Sequence, residues 1–244
     1  GQITLGLGSA LCLLSALVCW SGLRRGTPSE IGEREPLAKL LRAGFAAARS
    51  NPRIWFAYLL QFVSFADRIV IGTFFSARLQ QTAIANGQTV GEAVSAATRP
   101  FVIANVSALI FAVFFGLLLD RLNRIAAGVI AMLIAGAGYM AGGFVGDPSS
   151  EWIVPVAIML GMGQICAIIA SQTVLGQEAP RDVRGAVFGL AGIFASFGIL
   201  FTTAFGGWLY DLVDRSAPFF LIGTVNFGVM IFGLMLLRQN TSRS

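Results

Sequence analysis

Apolar runs of about 20 residues recur along this chain of 244 residues and constrain its architecture more than any other feature. One such run, folded as a helix, crosses the roughly 30 Å hydrocarbon core of a membrane. Only 12% of the residues are charged, and the mean hydropathy is +0.77, whereas a soluble domain carries about 25% charged residues. The sequence therefore predicts an all-α integral membrane protein. Seven spans are expected, at approximately 3–20, 54–77, 101–119, 125–146, 152–174, 185–209 and 217–237.

Basic residues between the spans predict the orientation of the chain in the membrane. Thirteen of the 17 Lys and Arg residues fall on one side of the predicted membrane, three fall on the other, and Arg68 lies within a span. An excess of Lys and Arg marks the cytoplasmic side of a membrane protein. We therefore expect an N-terminus outside, a C-terminus in the cytoplasm, and a location in the plasma or inner membrane.

The longest predicted cytoplasmic loop, residues 21–53, divides the chain into three parts. Its first half is polar and contains Gly and Pro, as linkers do. Its second half places Leu37, Leu40, Leu41 and Phe45 at helical spacing, which is typical of an amphipathic helix on a membrane surface; an ordinary solvated linker helix is the alternative. A single span (1–20) precedes this loop, and a six-helix unit (54–244) follows it. Because the chain opens inside a span, we expect it to be a piece of a longer protein.

Composition also restricts the chemistry of the protein. The chain contains no His, which excludes Ser–His and Cys–His catalysis and the imidazole ligands of metals. Its three Cys residues all lie within apolar runs, where Cys is a small packing residue. The net charge of +5 comes from basic residues that flank the spans, so no nucleic-acid partner is expected. We expect no catalytic residue, no metal site and no cofactor.

Asp67 and Arg68 are the two ionisable residues that lie well inside a predicted span. Each costs about 2.5–3.5 kcal/mol at the centre of a membrane helix, so such residues face a partner or a watery cavity. Gln61, Ser64 and Arg68 recur at helical spacing and predict one polar stripe, with Asp67 at its edge. Asp67 is thus a candidate coupling carboxylate or counter-ion of a cationic substrate, and Arg68 a candidate contact for an anionic group. A purely structural charge network is the alternative.

The loop "GLLLDRLNRI", residues 116–125, joins two predicted spans on the cytoplasmic side. It resembles the G-x-x-x-D-R-x-G-R-R/K signature of the major facilitator superfamily of transporters. Asn123 stands where the family has Gly, and Asn tolerates the left-handed conformation that a tight turn needs. Ile125 replaces the last basic residue. The positions that match are Gly116, Asp120, Arg121 and Arg124.

Two further stretches resemble the same family. "PRDVRGAVFGL" is similar to its P-x-x-x-R-G helix entry, with Pro180, Arg184 and Gly185 in register. The stretch 198–207 has the spacing of its G-x-x-x-G-P-x-x-G-G motif, with Thr202 and Thr203 at the Gly-Pro positions. Antiporter subgroups of the family carry this motif in their fifth helix, which this chain does not contain, so antiport is not inferred. Small residues allow membrane helices to approach closely. We expect helix packing at Gly185, Gly189, Gly198, Gly206 and Gly207.

The resemblance implies a secondary transporter of twelve helices that works by alternating access. The seven spans would be helices six to twelve, and the N-terminal half of the same chain would be missing. The loop residues Gly116, Asp120, Arg121 and Arg124, together with Arg184, would gate the conformational change. Helices seven and ten of this family line its cavity, which implies that Gln164 and Ser171 face the same space as Asp67. The expected partners are a small-molecule substrate, a coupling proton or cation, and the lipid bilayer.

Two other functional classes remain open at this point. A non-transporting membrane scaffold or regulator of the same fold would have the same spans and the same loop signature. An intramembrane enzyme is the other alternative, because Asp147 and Asp211 suggest an aspartyl protease. Both residues fall in predicted loops outside the membrane, however, which argues against that chemistry.

Overall fold

The computed structural model describes residues 2–22, 36–119 and 121–241, with side chains from Ser9 to Gln239. Most of the predicted polar linker (23–35) and Asp120 therefore lie outside the described residues. The chain divides into two compact units, Gly1–Pro36 and Leu37–Ser244. The described residues of both units form helices and no strand, so the predicted all-α architecture is confirmed for this part of the chain.

The first unit contains one apolar helix, α1 (Gln2–Gly22), which covers the first predicted span. The second unit contains a short helix, α2 (Leu37–Ser50), and six long helices. Those six are the described helices long and apolar enough to cross a membrane. They are α3 (Pro52–Ala85), α4 (Val90–Leu119), α5 (Arg124–Phe144), α6 (Ile153–Glu178), α7 (Arg184–Leu212) and α8 (Ala217–Thr241).

Several of the long helices begin where the sequence supplies a side-chain cap. Asn51 precedes α3 with extended backbone, and its side chain accepts a hydrogen bond from the Arg53 N–H at 3.0 Å. Before α4, Thr89 and Glu92 form a capping box: the Glu92 carboxylate accepts from the Thr89 N–H at 2.9 Å. As a result α4 starts at Val90, eleven residues before the predicted start of this span, and continues through Pro100.

Two of the long helices contain a wider π-helical turn. In α3 the turn covers Val70–Phe75, and in α7 it covers Thr202–Gly206. The turns touch, because a Cβ built on Gly206 would lie 2.9 Å from Cε2 of Phe74. Such turns often mark functional sites in helices. The residues of interest on α3 come directly before the first of them.

The core of the six-helix unit lies between α3, α5, α6 and α8. Helix α5 packs between α6 and α8, while α3 contacts α6, α7 and α8. Large aromatic side chains such as Phe56, Tyr58, Phe75, Tyr139 and Phe219 are fully buried there. Helix α2 lies against α7, where Gly44 approaches Leu190 closely. This arrangement encloses the middle of α3 on several sides.

Candidate functional site

The Asp67 side chain lies in the interior of the six-helix unit, with no exposed surface. It sits about 22 Å along α3 from Pro52, at roughly 1.5 Å per residue. Its Oδ1 accepts a hydrogen bond from Nδ2 of Asn226 on α8 at 3.1 Å. Its Oδ2 is buried and has no hydrogen-bond partner among the described residues. One of the two carboxyl oxygens thus has a hydrogen-bond partner, and that partner is a neutral side chain.

The backbone of Asp67 is held by a third helix. The Tyr139 hydroxyl on α5 donates to the Asp67 carbonyl oxygen at 3.0 Å, and Tyr139 is itself fully buried. The hydrogen-bond pattern of α3 changes from α to π just beyond this position. A carbonyl at such a change benefits from an outside donor. Asp67 is therefore a junction of α3, α5 and α8.

Asn226 supplies the amide side of this junction. Its Nδ2 donates to Asp67 Oδ1 and also to the Ile222 carbonyl oxygen, at 3.1 and 3.0 Å. A backbone carbonyl only accepts, so the nitrogen must be the atom that faces it. The Asn226 Oδ1 is buried and has no donor among the described residues. The sequence alone does not connect Asn226 or Tyr139 to Asp67, because each lies on another helix.

Arg68 points away from this junction. Adjacent residues of a helix are separated by about 100°, and the Arg68 side chain is exposed on the surface of the six-helix unit. The expected polar stripe is not continuous, because Gln61 and Ser64 are buried. Helices α6 and α7 enclose α3 around Ala57 to Phe62, and this explains why the first part of the expected stripe is buried. The Ser64 hydroxyl donates to the Leu60 carbonyl at 2.5 Å.

The two predicted cavity residues of α6 differ in exposure. Ser171 is fully buried, and its hydroxyl donates to the Ala57 carbonyl of α3 at 2.8 Å. Gln164 is partly exposed. Ser171 therefore links α6 to α3 in this structure. Of the two residues, Gln164 is the one that reaches the surface.

At the end of the unit where α3 begins, an ion pair joins two helices. Arg53 Nη1 lies 2.8 Å from Glu178 Oε1, and Asn51 Nδ2 donates to Glu178 Oε2 at 2.8 Å. Sequence reasoning missed this group. The signal in the sequence was the placement of charge relative to the helix dipole. A cation in the first turn of a helix, such as Arg53 of α3, and an anion in the last turn, such as Glu178 of α6, are each unfavourable alone. A partner of opposite charge relieves both.

The loop between α4 and α5 borders this ion pair. A cavity of about 410 Å³ separates them, lined by residues that include Arg53, Gly116, Asn123, Arg124, Thr173 and Glu178. Arg121 and Arg124 are exposed. Asn123 does not use the left-handed conformation that it could tolerate: its φ is −62° and its ψ is 126°, and its side chain caps α5 by accepting a hydrogen bond from the Ile125 N–H.

Arg184, the remaining predicted gating residue, begins α7. Its Nη2 donates to the Gly176 carbonyl of α6 at 2.7 Å. A cation at this point satisfies an otherwise open carbonyl of the last α6 turn. Arg184 thus closes the short connection between α6 and α7, independently of the α4–α5 loop.

The predicted packing glycines fall into two groups. A Cβ at Gly198 would collide with the Phe62 carbonyl oxygen, and one at Gly206 would crowd Phe74. Gly185, Gly189 and Gly207, in contrast, have no described neighbour within 4 Å of such a Cβ. The expected packing at these three is therefore absent within the described chain, because they lie on the side of α7 that faces away from α3.

Comparison with known proteins decides the family. The sequence model described as "Major Facilitator Superfamily" matches residues 57–244, which include all of the six-helix unit beyond the first turn of α3. The chain belongs to the Major Facilitator Superfamily. The resemblance read from the loop signature and the expected fold class are thereby confirmed. An integral membrane protein of several spans follows from the same match and the six apolar helices.

Individual relatives of this superfamily chain are distant. "Magnetosome protein MamH" of Paramagnetospirillum magneticum is 27% identical over 81% of the chain and 46% of its own length. "Magnetosome protein MamZ" of Magnetospirillum gryphiswaldense is 25% identical over 84% of the chain and 31% of its own length. "Uncharacterized transporter YwbF" of Bacillus subtilis is 25% identical over 84% of the chain and 49% of its own length. The chain therefore spans half or less of these relatives.

Proposed function

We propose that this protein moves a small solute across a membrane by alternating access, coupled to the movement of protons. Residues 54–244 form its C-terminal half, and the solute site lies between that half and an N-terminal half of the same chain. Membership of a transporter superfamily supports transport rather than catalysis. The chain also spans half or less of the relatives it matches, which leaves room for another half.

The observation that carries this proposal is the exposed Arg68 at mid-span. A cation at that depth is costly against lipid and is tolerated where it faces water or a partner. Its position on the surface of the six-helix unit supports a polar space between two halves. Arg68 then attracts a solute with an anionic group, and the partly exposed Gln164 of α6 offers hydrogen bonds nearby in the same space.

Proton coupling is assigned to Asp67. It is the acidic residue that lies deep in a described span, and its side chain is buried beside a neutral partner. A carboxyl in such a place can take up and release a proton as water reaches it and leaves again. A rocking motion of the two halves would change that access once in each cycle.

The experiment measures transport into vesicles that contain the full-length protein, with both proposed halves. Small carboxylic acids and inorganic phosphate are added to proteoliposomes that hold a pH-sensitive dye, with neutral sugars as the comparison. Proton movement with an anionic solute is expected for the wild type and for Asp147→Asn, and is expected to be lost in Asp67→Asn. Unchanged coupling in Asp67→Asn would remove this residue from the mechanism. A folded wild type that moves no solute would favour a scaffold or regulator.

The location and orientation are also proposed. The basic loops support a cytoplasmic C-terminus in the plasma or inner membrane. Two of the relatives carry the name magnetosome protein, which makes a magnetosome membrane the second location to examine by fractionation.

A further inference from the structure

At the junction of α3 and α8, two oxygen atoms have no hydrogen-bond partner among the described residues, and they belong to side chains that already touch. These atoms are Oδ2 of Asp67 and Oδ1 of Asn226. The other atoms of the two groups, Oδ1 of Asp67 and Nδ2 of Asn226, are joined by a hydrogen bond of 3.1 Å. Buried polar atoms are nearly always hydrogen-bonded, so two acceptor atoms on side chains that already face each other require a donor hydrogen between them.

The orientation of the Asn226 amide is fixed independently. Its nitrogen uses one hydrogen for Asp67 and the other for the Ile222 carbonyl, which can only accept. Rotating the amide would place two oxygens against each other at Ile222. Of these two groups, only the carboxyl, when protonated, can supply the missing donor.

We propose that Asp67 and Asn226 form a neutral acid–amide pair, with a proton on Asp67 Oδ2 donated to Asn226 Oδ1. The pair then contains two antiparallel hydrogen bonds, N–H···O from α8 to α3 and O–H···O from α3 to α8. Every polar atom of both side chains gains a partner. The pair is a proton-binding site that links two helices of the six-helix unit.

Among the described residues, no charged side chain contacts the pair to stabilise an ionised carboxylate. From α5, the titratable Tyr139 reaches Asp67, and its hydroxyl hydrogen bond goes to the backbone carbonyl. From α8, the contact is the neutral Asn226. On α3 itself, Arg68 is exposed on another side of the helix. Burial of an unpaired carboxylate is far more costly than burial of a hydrogen-bonded acid.

Release of the proton breaks one of the two hydrogen bonds. The O–H bond at Asp67 Oδ2 breaks, the proton passes to a water molecule that has entered, and the carboxylate that remains repels Asn226 Oδ1. The link between α3 and α8 is weaker in that state. Use of this proton in transport rests on the function proposed above, whereas its presence in the resting protein does not.

Infrared spectroscopy tests the pair without any transport. The full-length protein is prepared with and without ¹³C-labelled aspartate in lipid vesicles at neutral pH, so that the C=O band of a protonated aspartic acid is identified by its isotope shift. We expect one such band in the wild type, its loss in Asp67→Asn, and its persistence in Asp147→Asn. The pKa of Asp147 is held below its usual range by hydrogen bonds from Ser149, so that residue is ionised.

A second pair of variants tests the partner. Asn226→Leu removes both hydrogen bonds and is expected to move the band to higher frequency. Asn105→Leu is the control, because Asn105 is exposed and bonds only within its own helix, to the Phe101 carbonyl; it should leave the band in place. If a variant does not fold, the wild-type spectrum still decides. A wild type without a protonated band, or a band that survives Asp67→Asn, overturns the proposal, whatever the transport assay shows.

Discussion

At the scale of single residues, burial decides which polar groups matter in this protein. The sequence predicts an exceptional position at Asp67, because a carboxyl in an apolar run needs a reason to be there. It does not predict the partner, since Asn226 lies 159 residues further along the chain. It also groups Gln61, Ser64 and Arg68 by spacing alone, and spacing does not reveal that neighbouring helices cover the first two.

Tyr139→Phe tests the third contact of the Asp67 junction. The change removes one buried hydroxyl and leaves the Asp67 carbonyl without that donor, so we expect a loss of about 0.5–1.5 kcal/mol in the free energy of unfolding. Tyr210→Phe is the matched control, because the Tyr210 hydroxyl bonds to Gln81 at an exposed position. Denaturant unfolding in detergent measures both. Equal losses of unfolding free energy in the two variants would mean that burial of the Tyr139 hydrogen bond adds nothing to stability.

At the scale of elements, hydropathy locates the helices well and their internal irregularities poorly. The predicted start of α5 at 125 and of α7 at 185 each lie one residue from the observed start. The extension of α3 to Ala85 was missed, because its last turns are polar and exposed in part. The π-helical turns have no compositional signal, since they depend on contacts between helices. Likewise, spacing alone does not separate glycines that touch α3 from glycines that do not.

Gly198→Ala and Gly189→Ala make this distinction measurable. At Gly198 the added methyl meets the Phe62 carbonyl oxygen, and overpacking of this kind costs about 1–3 kcal/mol. At Gly189 the described chain offers open space, so the higher helix propensity of Ala leaves stability unchanged or raises it. Thermal unfolding in detergent should show a lower Tm for the first variant only. A similar Tm for both would show that α7 moves away from α3 at little cost.

At the scale of the whole molecule, the loop signature and the number of apolar runs were sufficient for the family. The match over residues 57–244 confirms that reading. The ion pair of Arg53 and Glu178 was not predicted, because it joins the start of α3 to the end of α6 across the unit. The linker boundaries and the solute stay predictions, since each depends on parts that the described residues do not include. The insertion of the first predicted span, 3–20, into the membrane also stays a prediction.

Fusion reporters test the proposed orientation of the full chain. A green fluorescent protein at the C-terminus should be fluorescent, and alkaline phosphatase at the same place inactive, because the basic loops hold that side in the cytoplasm. A phosphatase inserted at Gly87, in the loop after α3, should be active. The reverse pattern would contradict the orientation and place Arg53 and Glu178 outside.

The wide turns of α3 and α7 also bear on how relatives of this chain differ in length. Removing one residue from a helix ordinarily rotates everything beyond it by about 100°. A π-helical turn holds one residue more than a regular α-helical turn, so the loss of one residue there restores regular geometry and leaves the following segment facing the same way. The turns at Val70–Phe75 and Thr202–Gly206 are therefore the places where α3 and α7 can lose one residue without rotating their remaining parts. Gaps of one residue in aligned homologues should occur within these two turns rather than elsewhere in the two helices.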